Sequence, residues 1–185
     1  MVILKIGSMP TVPIGWSRRR AALFSLAALA FTLAAGAARG SIGVGDSFPS
    51  LGSDNFQGAI PPNTTGKVVI IDFWASWCAP CKASFAAYGR INSEFGAKDF
   101  EILAISEDQD EASYLSFAKK VNASFWVARD AGQNLARAAN IPTMPTSYVL
   151  DRTGRVRYVH AGFHGLVTER EIETEVSKLL SEGTH

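Results

Sequence analysis

An apolar run followed at once by two closely spaced cysteines is the feature that most restricts how this chain can fold. Residues 67–74 read KVVIIDFW. Apolar side chains at both alternating positions are typical of a strand buried on both faces. Residues 79–96 then carry apolar side chains at mixed three- and four-residue spacing, which predicts a helix. Cys78 and Cys81 therefore lie where a buried strand is followed by a helix.

This placement gives the two cysteines different chemistry. Three-residue spacing on a first helical turn puts both side chains on one face, with Cα atoms within disulfide range. Unpaired N–H groups and the positive end of the helix dipole favour the reactive thiolate at Cys78. Cys81, one turn further along, is placed to attack a mixed disulfide formed at Cys78. Pro80 fits the first turn, where a backbone N–H is not needed.

The cysteine count limits the other interpretations of this pair. Two cysteines in 185 residues exclude a disulfide-stapled scaffold, and no histidine lies near them in the sequence to complete a zinc ribbon. Two alternatives stay open. One is a copper site that combines the pair with His160 or His164, and the other is two buried structural thiols.

The rest of the chain alternates between predicted strands and helices after an irregular lead-in over residues 41–66. The predicted elements are strand 101–106, a helix capped by Asp110, strand 125–127, helix 132–139, strands 147–150 and 156–161 joined by a turn, and a helix from a Thr168-x-x-Glu171 capping box to about Glu182. Early alternation predicts parallel strands with crossover helices, and the late hairpin adds antiparallel strands. The predicted class is α/β, with a mixed central sheet and helices on both faces.

The first forty residues differ in composition from the remainder. They contain basic residues but no acid, with three consecutive arginines at 18–20 and an uncharged stretch over 21–38. A positive region, an apolar stretch and a terminal Ala-x-Ala predict that residues 1–40 are an export signal peptide or a retained N-terminal membrane anchor. In either case residues 41–185 form one exported domain, in the periplasm or another extracytoplasmic compartment.

The sequence resembles the thioredoxin superfamily. Residues 72–81, DFWASWCAPC, are similar to its signature region, and residues 144–151, MPTSYVLD, are similar to its cis-proline segment and the strand after it. The Asp-x-x-Gly turn at 151–154, Gly162 and the predicted export are similar to the TlpA/ResA-like branch of periplasmic thiol–disulfide oxidoreductases. The resemblance covers roughly residues 43–182 and implies a thioredoxin-like fold.

The resemblance also implies a role for each matched residue. Cys78 matches the attacking cysteine, Cys81 the resolving cysteine, and Asp72 a buried acid that exchanges a proton with Cys81. Burial between apolar neighbours would raise the pKa of Asp72, whereas a strand-end carboxylate that reaches water is the alternative. Pro145 matches the cis-proline and is preferred over Pro142 because the predicted strand starts directly after it.

Substrate contacts are implied around the cysteines. The implied residues are Trp77, Pro80, Met144, Pro145 and Thr146. Trp77 matches an exposed tryptophan beside the attacking sulfur, and Trp74 is predicted to lie in the core. Ala104 stands about where thioredoxin has a lysine near the buried acid, so Asp72 lacks one counter-charge.

The sequence therefore predicts an exported thiol–disulfide oxidoreductase that reduces protein disulfides, with no organic cofactor and no resident metal. The Ala79-Pro80 dipeptide is nearer to a reducing thioredoxin than to the His-containing dipeptides of strong oxidants. The resemblance implies protein thiol or disulfide clients, a membrane electron donor, and cytochrome c maturation or copper-site thiol reduction. A Cu(I)-handling chaperone, a disulfide isomerase and a non-catalytic interaction domain are the alternatives. A formal net charge of +1 predicts no nucleic-acid partner.

Overall fold

The computed structural model describes residues 41–52 and 56–183. The predicted export segment, residues 1–40, lies outside the described residues. The elements are β1 (Phe56–Gly58), β2 (Val68–Trp74), α1 (Ala79–Phe95), β3 (Phe100–Ser106), α2 (Glu111–Val121), β4 (Trp126–Asp130), α3 (Asn134–Ala139), β5 (Thr146–Leu150), β6 (Val156–Ala161) and α4 (Leu166–Ser181). None of these helices is both long enough and apolar enough to span a bilayer.

The strands form one mixed sheet in the order β1-β4-β3-β2-β5-β6. The three neighbouring strands β2, β3 and β4 are parallel, whereas β1, β5 and β6 run antiparallel to their neighbours. All seven residues of β2 are buried, as expected for an apolar strand with both faces covered. The predicted mixed sheet is confirmed.

Different helices cover the two faces of the sheet. Val68 and Ile70 pack against α1 and α4 on one face. Val69 and Ile71 pack against α3 and the lead-in on the other. Because side chains alternate along a strand, Asp72 points to the same face as Ile70. The helix that carries the cysteines therefore covers the face on which the Asp72 carboxyl group lies.

Two local predictions need correction. β4 extends to Asp130 instead of ending near Val127, because its last residues pair with β1, a strand about seventy residues earlier in the chain. The last helix begins at Leu166 and not at the predicted capping box. The hydroxyl of Thr168 lies inside this helix and accepts a hydrogen bond from the backbone N–H of His164.

Candidate active site

Helix α1 begins directly after Cys78, and the side chain of Cys78 caps it. The N–H of Cys81 donates to Cys78 Sγ at 3.3 Å, which fills one of the unpaired donors of the first turn. The two sulfurs form a disulfide, with the Cα atoms 5.3 Å apart. Cys78 keeps 4% of its surface and Cys81 keeps none. An incoming sulfur atom can therefore reach the pair through Cys78.

The loop between β2 and α1 is held by a carboxylate at the end of β3. Asp108 accepts hydrogen bonds from the backbone N–H of Ser76 at 3.0 Å and from its hydroxyl at 2.8 Å. The hydroxyl of Ser106 donates to the same carboxylate at 2.8 Å. The backbone N–H of Glu107 donates to the carbonyl of Trp74 at 2.8 Å. These bonds fix the backbone that carries the first cysteine.

An aromatic cluster lies against the disulfide. Trp74 is fully buried, and its ring centroid lies 4.9 Å from that of Phe85 and 4.5 Å from that of Phe117. Both cysteines belong to this apolar cluster. Trp77, by contrast, is 69% exposed. The predictions that Trp74 lies in the core and that Trp77 lies at the surface are confirmed.

The segment before β5 contains the cis peptide bond that the resemblance implies. The bond is Met144–Pro145, which supports Pro145 over Pro142 as the matching residue. The carbonyl of Pro145 accepts a hydrogen bond from the N–H of Gly162 at 2.8 Å. This bond joins the start of β5 to the end of β6.

The predicted contact residues differ in how far their side chains are exposed. Trp77 is exposed, and so is Pro80 in the first turn of α1. Met144 is half-buried and packs against the cluster that contains both cysteines. Thr146 is fully buried, and its hydroxyl donates to the carbonyl of Thr143 at 2.8 Å. The side chain of Thr146 thus holds the turn and does not reach the surface.

Asp72 is fully buried in the middle of the sheet. It lies in register between Ala104 of β3 and Ser147 of β5. The hydroxyl of Ser147 donates to Asp72 Oδ1 at 2.8 Å, and the hydroxyl of Tyr88 donates to the same oxygen at 3.0 Å. Asp72 Oδ2 has no hydrogen-bond partner among the described residues. This geometry excludes the alternative in which the carboxylate reaches water.

Burial raises the pKa of Asp72 to about 7, and the hydrogen bonds from Ser147 and Tyr88 oppose the rise. Ala104 beside it supplies no positive charge, so the two hydroxyl groups are what stabilises the anion. A carboxyl group with a pKa near neutrality can both accept and donate a proton in a catalytic cycle.

The sequence interpretation assigned no role at the site to Tyr88 or Ser147. Tyr88 lies within the helix predicted over residues 79–96, and Ser147 is the first residue of the predicted strand 147–150. Tyr88 follows Cys81 by seven residues, which places both on one face of the helix. This spacing is the sequence feature that could have indicated that Tyr88 lies near the site. The contact between Ser147 and Asp72 joins residues 75 positions apart, so no local pattern shows it.

We expect Ser147→Ala to raise the pKa of Asp72 by about one further unit, because the substitution removes a hydrogen bond to the ionised form. Tyr88→Phe should shift the pKa in the same direction. A carbon-13 NMR titration of the Asp72 carboxyl group measures both shifts. Ser147→Thr keeps a hydroxyl group and is the matched control. An unchanged pKa in Ser147→Ala would show that this bond does not stabilise the anion.

His160, one of the two histidines of the copper alternative, is paired with a carboxylate on α4. His160 Nε2 lies 2.8 Å from Glu175 Oε2 on α4. Across residues 41–52 and 56–183, no three His, Cys, Asp or Glu side chains are arranged to hold a metal ion.

Comparison with known proteins assigns the family. The sequence profile described as Redoxin matches residues 44–176, well over half of the chain. The chain belongs to the Redoxin family. The matched range contains β1 to β6, both cysteines and the cis peptide bond. The whole candidate site is therefore part of the Redoxin domain.

Individual relatives of this Redoxin domain carry consistent names. "Thiol-disulfide oxidoreductase ResA" of Bacillus cereus is 31% identical over 91 residues, which cover 49% of this chain and 53% of that protein. The chain thus spans about half the length of this relative. ResA of Geobacillus thermodenitrificans is 24% identical over 161 residues, which cover 85% of this chain and 91% of that protein.

A solved structure supports the same assignment. A protein of Chlorobium tepidum, described as a thiol:disulfide interchange protein DsbE, superposes with a TM-score of 0.67. It is 30% identical, and the match covers 76% of this chain and 100% of that one. The thioredoxin-like fold predicted from the sequence is confirmed.

Proposed function

We propose that this Redoxin-family chain is a thiol–disulfide oxidoreductase that acts on protein thiols and disulfides. The observation that carries the proposal is the Cys78–Cys81 disulfide at the start of α1, in which Cys78 alone of the two keeps exposed surface. The names of the ResA and DsbE relatives support the same chemistry.

In the reducing direction, the Cys78 thiolate attacks one sulfur of a client disulfide. A mixed disulfide forms at Cys78, and the first client thiolate leaves and takes a proton from water. Asp72 accepts the proton of Cys81. The Cys81 thiolate then attacks Cys78 Sγ, which closes the internal disulfide and releases the second client thiolate. The client gains two electrons, which the dithiol loses.

The surface around Cys78 holds the client. Trp77 and Pro80 are exposed and lie next to the cysteines in the chain, half-buried Met144 packs against the cluster that contains both cysteines, and Pro145 is buried directly before β5. An extended client segment that lies across these residues presents its own disulfide to Cys78. Thr146 contributes by holding this segment through its bond to Thr143.

The domain works outside the cytoplasm. Residues 1–40 direct export and are either cleaved or retained as a membrane anchor. A reductant in such a compartment needs a supply of electrons, which a membrane thiol donor provides. Cytochrome c maturation and the reduction of copper-site thiols are the client classes that the family resemblance supports.

We expect the standard reduction potential of the Cys78–Cys81 pair to lie near −270 mV and not near −120 mV. The reason is that Ala79 and Pro80 place no basic side chain between the cysteines, so backbone N–H groups alone stabilise the Cys78 thiolate. Equilibration with dithiothreitol at defined ratios measures the potential. Turnover of insulin disulfides with the same reductant tests the activity.

A potential near −120 mV would reverse the direction of the proposed reaction. Stoichiometric Cu(I) binding without any insulin reduction would favour the copper alternative over the oxidoreductase.

A further inference from the structure

A groove of about 660 Å³ lies between the start of α1 and helix α2. The loop before α1 contributes Ser76, α1 contributes Lys82, and α2 contributes most of the remaining surface. The larger apolar side chains in it are those of Phe117 and Val121, and Phe117 belongs to the cluster that contains both cysteines. Ser76 precedes Cys78 by two residues, so the groove adjoins the segment that carries the disulfide.

Two ammonium groups line this groove without an ion-pair partner. Lys82 and Lys120 are exposed, and neither forms an ion pair within residues 41–52 and 56–183. The acid that lines the groove is Asp110, whose carboxylate accepts from the backbone N–H of Ser113 at 2.9 Å and from its hydroxyl at 2.6 Å. These bonds lower the pKa of Asp110 and use its carboxylate to cap α2. The groove therefore keeps a positive charge that its own residues do not neutralise.

The charge of this groove is opposite to that of the domain as a whole. All 17 acidic residues of the chain lie in residues 41–185, whereas only 13 of the 18 basic residues do. The net charge of the domain thus repels an acidic partner, and attraction depends on local complementarity at the two lysines. Phe117 and Val121 add apolar surface, which a polypeptide can cover and a small inorganic anion cannot. A bilayer surface is flat and does not enter a groove.

We infer that the groove between α1 and α2 binds an acidic segment of a protein that exchanges electrons with the Cys78–Cys81 pair. The inference rests on the proposed function, since the pair is what brings such a protein to this surface. Carboxylates of the segment accept charge-assisted hydrogen bonds from Lys82 and Lys120, and its apolar side chains cover Phe117. Because an exposed ion pair contributes little by itself, the groove selects among partners and does not hold one tightly.

Reduction of disulfide-linked peptides measures this selection. One peptide series carries two glutamates at successive separations from the reacting cysteine, on either side of it, and otherwise identical peptides carry glutamine there. We expect the best glutamate peptide to have a kcat/KM about fivefold above that of its glutamine counterpart. In about 1 M salt, where the screening length is about 3 Å, the preference should fall below about twofold. Equal kcat/KM values for every glutamate and glutamine pair would overturn the inference.

Charge variants show where the preference arises. Lys82→Gln combined with Lys120→Gln should remove it, and Lys82→Glu combined with Lys120→Glu should make lysine peptides the preferred ones. Lys119→Gln is the matched control, because it removes one exposed charge from α2 outside the groove and should keep the preference. Since Lys82 follows Cys81 and its substitution can alter the reactivity of the pair, the ratio between two peptides is compared within each variant. A preference that survives the double glutamine variant, or that Lys119→Gln removes equally, would overturn the inference.

Binding without reaction separates this inference from the proposed function. In a second series serine replaces the peptide cysteine, and titration calorimetry with the oxidised protein should show the same preference for glutamate and its loss in the double glutamine variant. If no disulfide peptide is reduced, the proposed function fails, and the serine series still decides the groove. Sedimentation with phosphatidylglycerol vesicles tests the other anionic surface. Vesicle binding that needs both lysines, without any preference for glutamate peptides, would overturn the inference in favour of a membrane.

Discussion

Cys78→Ser should abolish the reduction of protein disulfides, with a loss of about 10³-fold or more in kcat/KM. A serine hydroxyl is not ionised at neutral pH and does not form a disulfide, so the first covalent step has no nucleophile. Cys81→Ser should also stop turnover, but after the first step, because Cys78 can still attack a client. The measurement is insulin reduction with dithiothreitol, combined with non-reducing electrophoresis of Cys81→Ser after incubation with client disulfides.

The two variants separate the roles of the two sulfurs. We expect mixed disulfides in Cys81→Ser and none in Cys78→Ser, because Cys81 has no exposed surface in the folded domain. The double variant is the control for capture by other routes. Capture by Cys78→Ser and not by Cys81→Ser would reverse the assigned roles, and capture by neither would exclude thiol–disulfide exchange at this pair.

Local patterns were sufficient to predict the centre of the site. The apolar run of β2, the cysteine pair and the start of α1 are adjacent in sequence, so strand periodicity and helix-end chemistry placed Cys78 and Cys81 correctly. The segment around the cis peptide bond was identified by resemblance and not by periodicity. Met144 of this segment packs against the cluster that contains both cysteines, because β5 pairs with β2.

The features that the sequence did not predict depend on contacts between segments far apart in the chain. The extension of β4 depends on β1, and the environment of Asp72 depends on hydroxyl groups from α1 and β5. The burial of Asp72 could be predicted from its strand, but the two donors could not.

Asp72→Asn should stabilise the oxidised domain at neutral and higher pH. Folding raises the pKa of this carboxyl group from 3.8 to about 7, so the folded state holds the proton more tightly than the unfolded state does. The contribution of Asp72 to stability is therefore fully present below about pH 4 and is lost as the pH rises towards 7. Asparagine is neutral at every pH and can still accept from Tyr88 and Ser147 through its carbonyl oxygen.

The measured quantity is the free energy of unfolding of Asp72→Asn minus that of the unsubstituted protein. This difference should increase by about 3 kcal/mol from pH 4 to pH 8. Urea unfolding of both oxidised proteins at these two pH values measures the difference. Burial also raises the pKa of Glu107, to about 8, but Glu107 is present in both proteins and its pH dependence cancels in the comparison. Glu94→Gln is the control and should show no such change, since Glu94 is exposed.

The same substitution should slow the release of the client from the mixed disulfide by about 10²-fold, because Cys81 loses its proton acceptor. Opposite effects on stability and on rate are what distinguish a functional buried acid from a structural one. A buried carboxyl group kept only for folding would leave the rate unchanged when it is replaced by its neutral isostere. If Asp72→Asn lowers stability at pH 8, folding does not raise the pKa of Asp72. If the variant releases the client equally fast, Asp72 is not the proton acceptor of Cys81.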